Sequence, residues 1–401
     1  MEFITEKARE TKIFGEYDVV VVGGGVAGVS AALAAKRTGA KKVLLIEKQY
    51  LLGGLATLGL ITIYLPLCDG EGKQVSFGIA EELLHLSMKH GYEDKYPKGW
   101  LENGTLEEKK ERRFEIQYNA NLFGILMEQL LLDEGVEILY GTSVCDAIVK
   151  ENKISSVIIE NKSGRQAIIS KTVIDASGDA DICKLTGVET DTYTKGNILA
   201  GWYYFHRDNK YLLKMLGFSE MPEDLKSPEQ KELEKTLTRF TGLDAKEMSE
   251  VTFKSHKYTL DDFLKRGEIC ESYNLGKIAT IPQVRMTRKL ISDYVLDEKE
   301  VHKEFSDSVG MFSDWRRRGP VFELPYSCLY AKNIKNLITA GRCISVTEDM
   351  WDVTRVIPVC AVSGQAAGTA AAMTDDFKSL DVEKLQEQLK ADGVVLHESE
   401  L

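Results

Sequence analysis

Apolar and polar positions change their period several times along the chain. Tyr17 to Val22 (YDVVVV) is an unbroken, β-branched apolar run, and predicts a strand buried on both faces. Val29 to Thr38 is Ala-rich with helical spacing and stops at Gly39. Val43 to Ile46 (VLLI) predicts a second buried strand, closed by Glu47. The first strand and the helix are joined by Gly23-Gly24-Gly25-Val26-Ala27-Gly28. Together these segments make a βαβ unit of about thirty residues.

The next stretch, Gly59 to Arg113, is mixed. It holds an amphipathic helix near Ile79 to Met88, then a run rich in Gly, Pro and charge. Asn121 to Glu134 has clear helical spacing. From Val136 the period becomes two: VEILY, SVCDAIVK, ISSVIIENK and RQAIIS alternate, and breaks fall at Gly141, Asn152 and Lys162-Ser163-Gly164. That pattern predicts an antiparallel meander. Thr172 to Asp175 is another buried strand. Residues 185–320 carry more charge, with Lys226 to Lys246 and Tyr258 to Arg266 as two helical stretches. Asn336 to Ala340 returns to the buried-strand pattern, Val356 to Met373 is a last core helix, and Val382 to Leu389 an amphipathic tail helix.

The fold class this order implies is α/β: a parallel sheet plus a β-meander, with an inserted α+β substrate domain. The expected division places the nucleotide-binding body in residues 1–58, 119–184 and 321–401. A cap segment is inserted at 59–118 and the substrate domain at 185–320.

Composition narrows the function. The 401 residues are 43% hydrophobic and 28% charged, ordinary for a globular protein, and the net charge is −11. A nucleic-acid or anionic-membrane partner calls for a basic stripe, so neither is expected. Of the seven cysteines, the closest are Cys328 and Cys343, fifteen residues apart. Neither an iron–sulfur cluster nor a dithiol motif has such spacing, and no metal site is expected. Scattered single cysteines suit a reducing, cytoplasmic setting. The first sixteen residues carry charges throughout and do not read as a signal peptide, and the Ala/Gly-rich run at 356–373 is too weakly apolar for a membrane span.

The spacing Gly23-x-Gly25-x-x-Gly28 is weak alone, but here it follows a buried strand, opens a helix and is followed by an acid at the next strand end. Gly23 permits the tight turn, Gly25 lets a pyrophosphate approach the backbone, and Gly28 lets helix and strand pack closely. The helix N-terminus offers N–H groups and a positive dipole end. Glu47 can accept from ribose hydroxyls and disfavours a 2′-phosphate. Gly53-Gly54 follows closely in LLGGLAT. Two more strands end in small residues, at Ala176-Ser177-Gly178 and at Ala340-Gly341. Three such strand ends suit a long dinucleotide crossing one sheet edge, more than a single NAD half-site requires.

These pieces resemble a known family. YDVVVVGGGVAG, LLIEKQYLLGGLAT, FGIAEEL, TVIDASGDAD, PQVRMTRK, NLITAGRCIS and TRVIPVCAVSGQAAGTAA look like the FAD-dependent oxidoreductases related to glutathione reductase in their FAD domain. Within them the chain resembles the group that includes the FAD-binding part of heterodisulfide reductase subunits. The resemblance implies a glutathione-reductase-like FAD-binding fold with FAD as cofactor. It also implies cofactor contacts at Gly23, Gly25, Val26, Ala27, Gly28, Glu47, Lys48, Gly53, Gly54, Leu55, Ala56 and Thr57. Further contacts fall at Val144, Ala176, Ser177, Gly178, Gly341, Arg342, Val359 and Cys360. The helix starting near Pro358 would aim its N-terminus at the flavin pyrimidine. The chain departs from the family in lacking a second G-x-G-x-x-G and cluster cysteines, which leaves the electron partner open.

Signals for catalysis are thinner. Arg355 resembles in position the arginine of fumarate-reductase-like flavoenzymes, and Arg285 and Arg288 match the family pattern in VRMTRK. Each has the same bland alternative: a structural arginine that caps carbonyls or pairs with Glu348, Asp349 or Asp352. His206 sits among aromatics as a candidate general base, against the simpler reading of a packed histidine, and Tyr326 is a longer shot. Cys343 and Cys360 read as packing residues that flank the site. The expected function is an FAD-dependent oxidoreductase that moves a hydride between flavin N5 and a small substrate (an alcohol, sugar or hydroxy acid). Reduction of an activated C=C bond, an electron-relay subunit and an NAD-binding protein without turnover are the alternatives. The expected partners are that substrate and an unidentified electron donor or acceptor; self-association into a homo-oligomer stays open.

Overall fold

The computed structural model describes residues 4–90, 96–217 and 221–401. The sequence expectations therefore fall outside the described residues at 1–3, at 91–95 in the charge-rich run after the 79–88 helix, and at 218–220 in the charged middle region.

A seven-stranded sheet forms the centre. Its strands are β1 (Lys12–Val22), β2 (Val43–Ile46), β3 (Glu137–Leu139), β4 (Ser143–Lys150), β5 (Lys153–Asn161), β6 (Gly164–Asp175) and β10 (Leu337–Thr339). The order is β3-β2-β1-β6-β5-β4, with β10 also pairing with β6. Val19–Val22 pair in parallel with Val43–Ile46 on one side and with Thr172–Asp175 on the other. All these residues are buried, which is why the sequence shows continuous apolar runs there and not alternation.

β6 is the pivot. Gln166–Asp175 pair with β1 along one edge; on the other, Gly164–Ile169 pair antiparallel with β5 and Val173–Asp175 pair parallel with β10. One long strand thus joins the parallel sheet to the β4–β5–β6 meander. The two-residue periodicity locates these three strands but also assigns VEILY to the meander; Glu137–Leu139 instead pairs in parallel with Leu44–Ile46 at the sheet edge.

Helix α1 (Val26–Arg37) packs against helix α7 (Ile357–Met373), and small residues set how closely. A Cβ at Gly364 would lie 2.3 Å from the Ala27 carbonyl oxygen, and one at Gly368 would lie 2.1 Å from that of Ala31. α7 is buried from Ile357 to Ala371, and accordingly shows no amphipathic stripe. Helices α2 (Ile79–Met88) and α3 (Ala120–Asp133) complete the layer. Tyr64, Leu83 and Phe114 share its core with α1 and α7, so the 59–118 stretch packs into the main body. α4 (Asp181–Leu185) buries Ile182 and Cys183, and the tail helix α8 (Val382–Ala391) buries Leu385 and Leu389.

The middle of the chain builds an antiparallel sheet of β7 (Tyr203–Arg207), β8 (Lys210–Lys214) and β9 (Tyr273–Ile278), in the order β8-β7-β9. Tyr203, Phe205 and Tyr273 pack with Phe263 of helix α5 (Ala245–Lys265). Here the sequence reading needs correction. Lys226 to Lys246 is not one helical stretch: a capping box at Ser227 starts a seven-residue helix, and a short strand at Arg239–Phe240 follows. The helical spacing at 258–266 belongs to α5, which Asp244 caps with bonds from the Lys246 and Glu247 amides. Its core face, Val251-Ser255-Thr259-Phe263, is diluted by two hydroxyls, which hid half the helix from a periodicity argument.

Among the described residues no single helix is long and apolar enough to cross a membrane. Helix α6 (Glu348–Thr354) and α7 reach that size only together, and they are bent by 92°.

Candidate functional site

The three strand ends named from the sequence meet at one cavity of about 550 Å³, which they line through Gly23, Gly178 and Ala340. β1 ends in Gly23, whose φ of +108° suits glycine. A Cβ there would lie 2.4 Å from the Ala176 carbonyl oxygen. Gly28 is equally constrained, because its Cβ would lie 1.8 Å from the Gly23 oxygen. Gly25 is different: a Cβ added there meets nothing within 4 Å. It is the N-cap of α1 and supplies no side chain to the first-turn amides.

Glu47, at the end of β2, is buried. Its carboxylate accepts from the Gly24 amide at 2.7 Å and the Gln49 amide at 2.7 Å. These bonds tie the first glycine loop to the acid and leave further lone pairs of the carboxylate toward the cavity. The second glycine pair is knitted to the first: the Gly53 amide donates to the Gly24 oxygen at 2.8 Å, and Gly25 and Gly53 form a β-bridge.

The β6 end supplies Ala176, Ser177, Gly178, Asp179 and Asp181. Asp175 accepts from the Ser177 hydroxyl at 2.6 Å and from the Ile182 and Cys183 amides, which fixes this loop. The Asp181 carboxyl is pushed up to about 6, chiefly by burial and then by the neighbouring Asp179 and Asp175; Lys48 and Arg288 oppose the shift. Beside this loop, Arg342 donates to the Arg285 carbonyl at 2.6 Å and lies 3.4 Å from Asp179.

α7 begins at the same cavity. Its N-cap, Val356, offers no side-chain acceptor, Pro358 falls in the first turn, and Ile357 and Cys360 line the wall. Burial pushes the Cys360 thiol up to about 11, so it is neutral at pH 7. α1 and α7 therefore present two N-termini without side-chain caps to one space, each with the positive end of a helix dipole.

Most residues named from the sequence line this cavity: Gly23, Gly25, Val26, Ala27, Glu47, Lys48, Gly53, Gly54, Leu55, Ala56, Val144, Ala176, Ser177, Gly178, Arg342, Arg355 and Cys360. Others do not. Gly28 serves the helix–strand contact. Thr57 is fully buried and donates to the Leu52 oxygen at 2.5 Å, closing the turn from inside. Gly341 and Val359 lie behind the wall; a Cβ at Gly341 would lie 2.7 Å from that of Ala27.

The catalytic candidates separate further. Arg355 is at the cavity, but its Nε and Nη2 donate to Asp352 at 2.8 and 2.5 Å and its guanidinium lies over Trp315. Arg316 shares Asp352 and pairs with Asp314. Arg288 is turned to the Asp179 carbonyl and to Asp181, and does not line the cavity. Arg285 stacks over Trp202 behind the wall. His206 is exposed on β7, its ring 4.8 Å from that of Tyr211, and Tyr326 is buried with its hydroxyl on the Phe377 oxygen. Both stand away from the cavity because strand alternation turned one outward and core packing held the other.

Sequence reasoning missed the far wall: Gly242, Met248, Ile281, Pro282 and Val284. PQVRMTRK had drawn attention to its arginines, and only Pro282 marked the bend that carries the lining residues.

The sequence model described as FAD dependent oxidoreductase matches residues 18–204 and 200–389. Similar solved structures include a geranylgeranyl bacteriochlorophyll reductase-like protein from Thermoplasma acidophilum, 16% identical with a TM-score of 0.48 over 94% of this chain and 84% of that one. A p-nitrophenol 4-monooxygenase from Pseudomonas putida is 14% identical, with a TM-score of 0.46 over 94% and 80%. A glycine oxidase from Bacillus cereus is 14% identical, with a TM-score of 0.39 over 88% and 94%. No curated protein matches the chain.

Proposed function

The chain belongs to the FAD dependent oxidoreductase family and is an FAD-dependent enzyme; from that premise we propose that it moves a hydride between a small-molecule substrate and a flavin held in the 550 Å³ cavity. The observation that carries this reading is the convergence of three strand ends with small residues and two helix N-termini without side-chain caps on that one space. The residues fit the group. A Cβ added at Gly25 would meet nothing within 4 Å, and the first-turn amides of α1 have no side-chain acceptor of their own.

Bound FAD supplies a ring that takes up or returns two electrons as a hydride. The chain's part is to bind and orient. The α1 N-terminus would donate to the pyrophosphate, and Glu47 would use its remaining lone pairs on the ribose hydroxyls. Val144 would face the adenine end. The α7 N-terminus would favour negative charge at the flavin. Within the family we assign the fold to the glutathione-reductase-like type, with residues 185–320 supplying the substrate side through Gly242, Met248 and 281–284.

A second reading, reduction of an activated C=C bond, draws support from the titratable groups at the α7 end. Among the described lining residues these are Arg342, Arg355 and Cys360, two guanidiniums and a neutral thiol, with Asp179 3.4 Å from Arg342. A guanidinium here can polarise a carbonyl, which suits this reading. Anaerobic addition of candidate donors to FAD-loaded enzyme tests the two readings. Bleaching by an alcohol supports dehydrogenation. Re-oxidation of chemically reduced enzyme by an enone, with no bleaching by alcohols, supports C=C reduction. An Arg355→Ala enzyme that keeps FAD and turns over unchanged removes Arg355 from the site.

A further inference from the structure

The far wall of the cavity has a chemical character distinct from the rest. The segment 280–285 bridges two fixed points. At one end the Thr280 amide donates to the Leu58 oxygen at 2.9 Å, and Gln283 Nε2 donates to the Gly59 oxygen at 2.5 Å. At the other, Arg342 Nη1 donates to the Val284 and Arg285 carbonyls, and Asn197 accepts from the Arg285 and Met286 amides. Val284 packs with Phe240, Val251 and Met248. Gly242 is held against it, since a Cβ there would lie 2.4 Å from Val284 Cγ1. The wall is thus anchored at both ends and backed by its own apolar cluster, as a pre-formed ligand surface is.

Its side chains bring no hydrogen-bonding group to the cavity. Glu47, Lys48, Asp179 and Asp181 stand at the β2 and β6 ends, and Arg342, Arg355 and Cys360 at the α7 side. Met248, Ile281, Pro282 and Val284 line the same cavity without a polar side chain, and Arg342 borders them through its bonds to the Val284 and Arg285 carbonyls. A polyhydroxylated substrate packed on this wall would lose water without replacement hydrogen bonds, which is costly, whereas an apolar one gains by each methylene it buries.

We propose that the substrate has an apolar body that packs against Met248, Ile281, Pro282 and Val284, and that this wall sets specificity by hydrophobic contact. The proposal rests on the placement of FAD along the opposite, glycine-lined wall. It makes the sugar the poorest fit of the substrate classes raised from the sequence.

The test uses full-length, FAD-loaded protein and reads the flavin absorbance difference spectrum, which reports binding without turnover. The probes are 1-butanol, 1-hexanol and 1-octanol, with glycerol and glycolate as polar counterparts. The dissociation constant is expected to fall about fourfold per added methylene, and glycerol and glycolate to bind far more weakly. Ile281→Asn and Met248→Gln are expected to flatten that gradient with FAD still bound. Affinity independent of chain length, tightest binding by glycerol or glycolate, a spectrum unmoved by every probe, or a gradient unchanged in both variants would overturn the inference alone. A protein that takes up no FAD would overturn the parent reading instead, and the wall's role with it.

Discussion

Gly25 and Gly28 lie three residues apart in one motif, yet the structure gives them opposite tasks, and alanine at each separates binding from folding. At Gly25 the backbone is extended, with φ −67° and ψ 175°, so alanine fits without strain. Its Cβ meets no protein atom within 4 Å. Alanine is a somewhat poorer N-cap than glycine but restricts the unfolded chain more, and the two effects offset to within about 1 kcal/mol. Apo-protein stability in urea should therefore hardly change. The methyl group would, however, stand where a phosphate oxygen must approach the α1 amides. Losing one charge-assisted hydrogen bond costs about 1.5–3 kcal/mol, equivalent to a roughly 10- to 150-fold weaker FAD dissociation constant. At Gly28 the added Cβ would sit 1.8 Å from the Gly23 oxygen, so helix and strand must part. Overpacking of that kind costs about 1–3 kcal/mol or more of apo stability. Urea unfolding of apo protein and a fluorescence titration with FAD read the two quantities independently. A folded Gly25→Ala protein with wild-type FAD affinity would refute the assignment of the α1 N-terminus to the cofactor.

Other expected outcomes follow from the same contacts. Gly368→Ala should destabilise the apo protein by about 1–3 kcal/mol in urea, because its Cβ would lie 2.1 Å from the Ala31 oxygen and press α1 from α7. Asp352→Ala removes the carboxylate between two buried guanidiniums, Arg355 and Arg316, and should cost about 3–5 kcal/mol by the same assay. The Asp181 carboxyl is raised to about 6, so the folded apo protein holds its proton more tightly than the unfolded chain, and stability falls as pH rises from about 4 to about 6. Asp181→Asn should flatten that fall and match wild type below about pH 4. The side chain is about half exposed, so the gain above pH 6 should stay under about 1 kcal/mol.

The parts of the site that were legible in the sequence are those built by consecutive residues. The β1–α1–β2 unit, Glu47 at its strand end and the meander each depend on a pattern a few residues long. Burial on both faces makes such a pattern continuous, and burial on one face makes it alternate. The far wall was not legible, because Gly242, Met248 and 281–284 come together only after α5 and the 280–285 segment have packed, and no local period marks their lining faces. The arginines show the converse limit. Residue type and motif placed Arg288 near the cofactor, but Asp179 and Asp181, a hundred residues away, decide where its guanidinium points. Thr57 sits in the motif it was read from, yet its hydroxyl is consumed by Leu52, five residues back.

The most direct test of the central claim is the absorbance spectrum of the full-length protein, as purified and after FAD reconstitution, followed by denaturation and identification of what is released. The account predicts the two visible bands of oxidised flavin and one FAD per chain recovered on unfolding. A folded protein that stays colourless after incubation with FAD, or one that releases NAD instead, would contradict it.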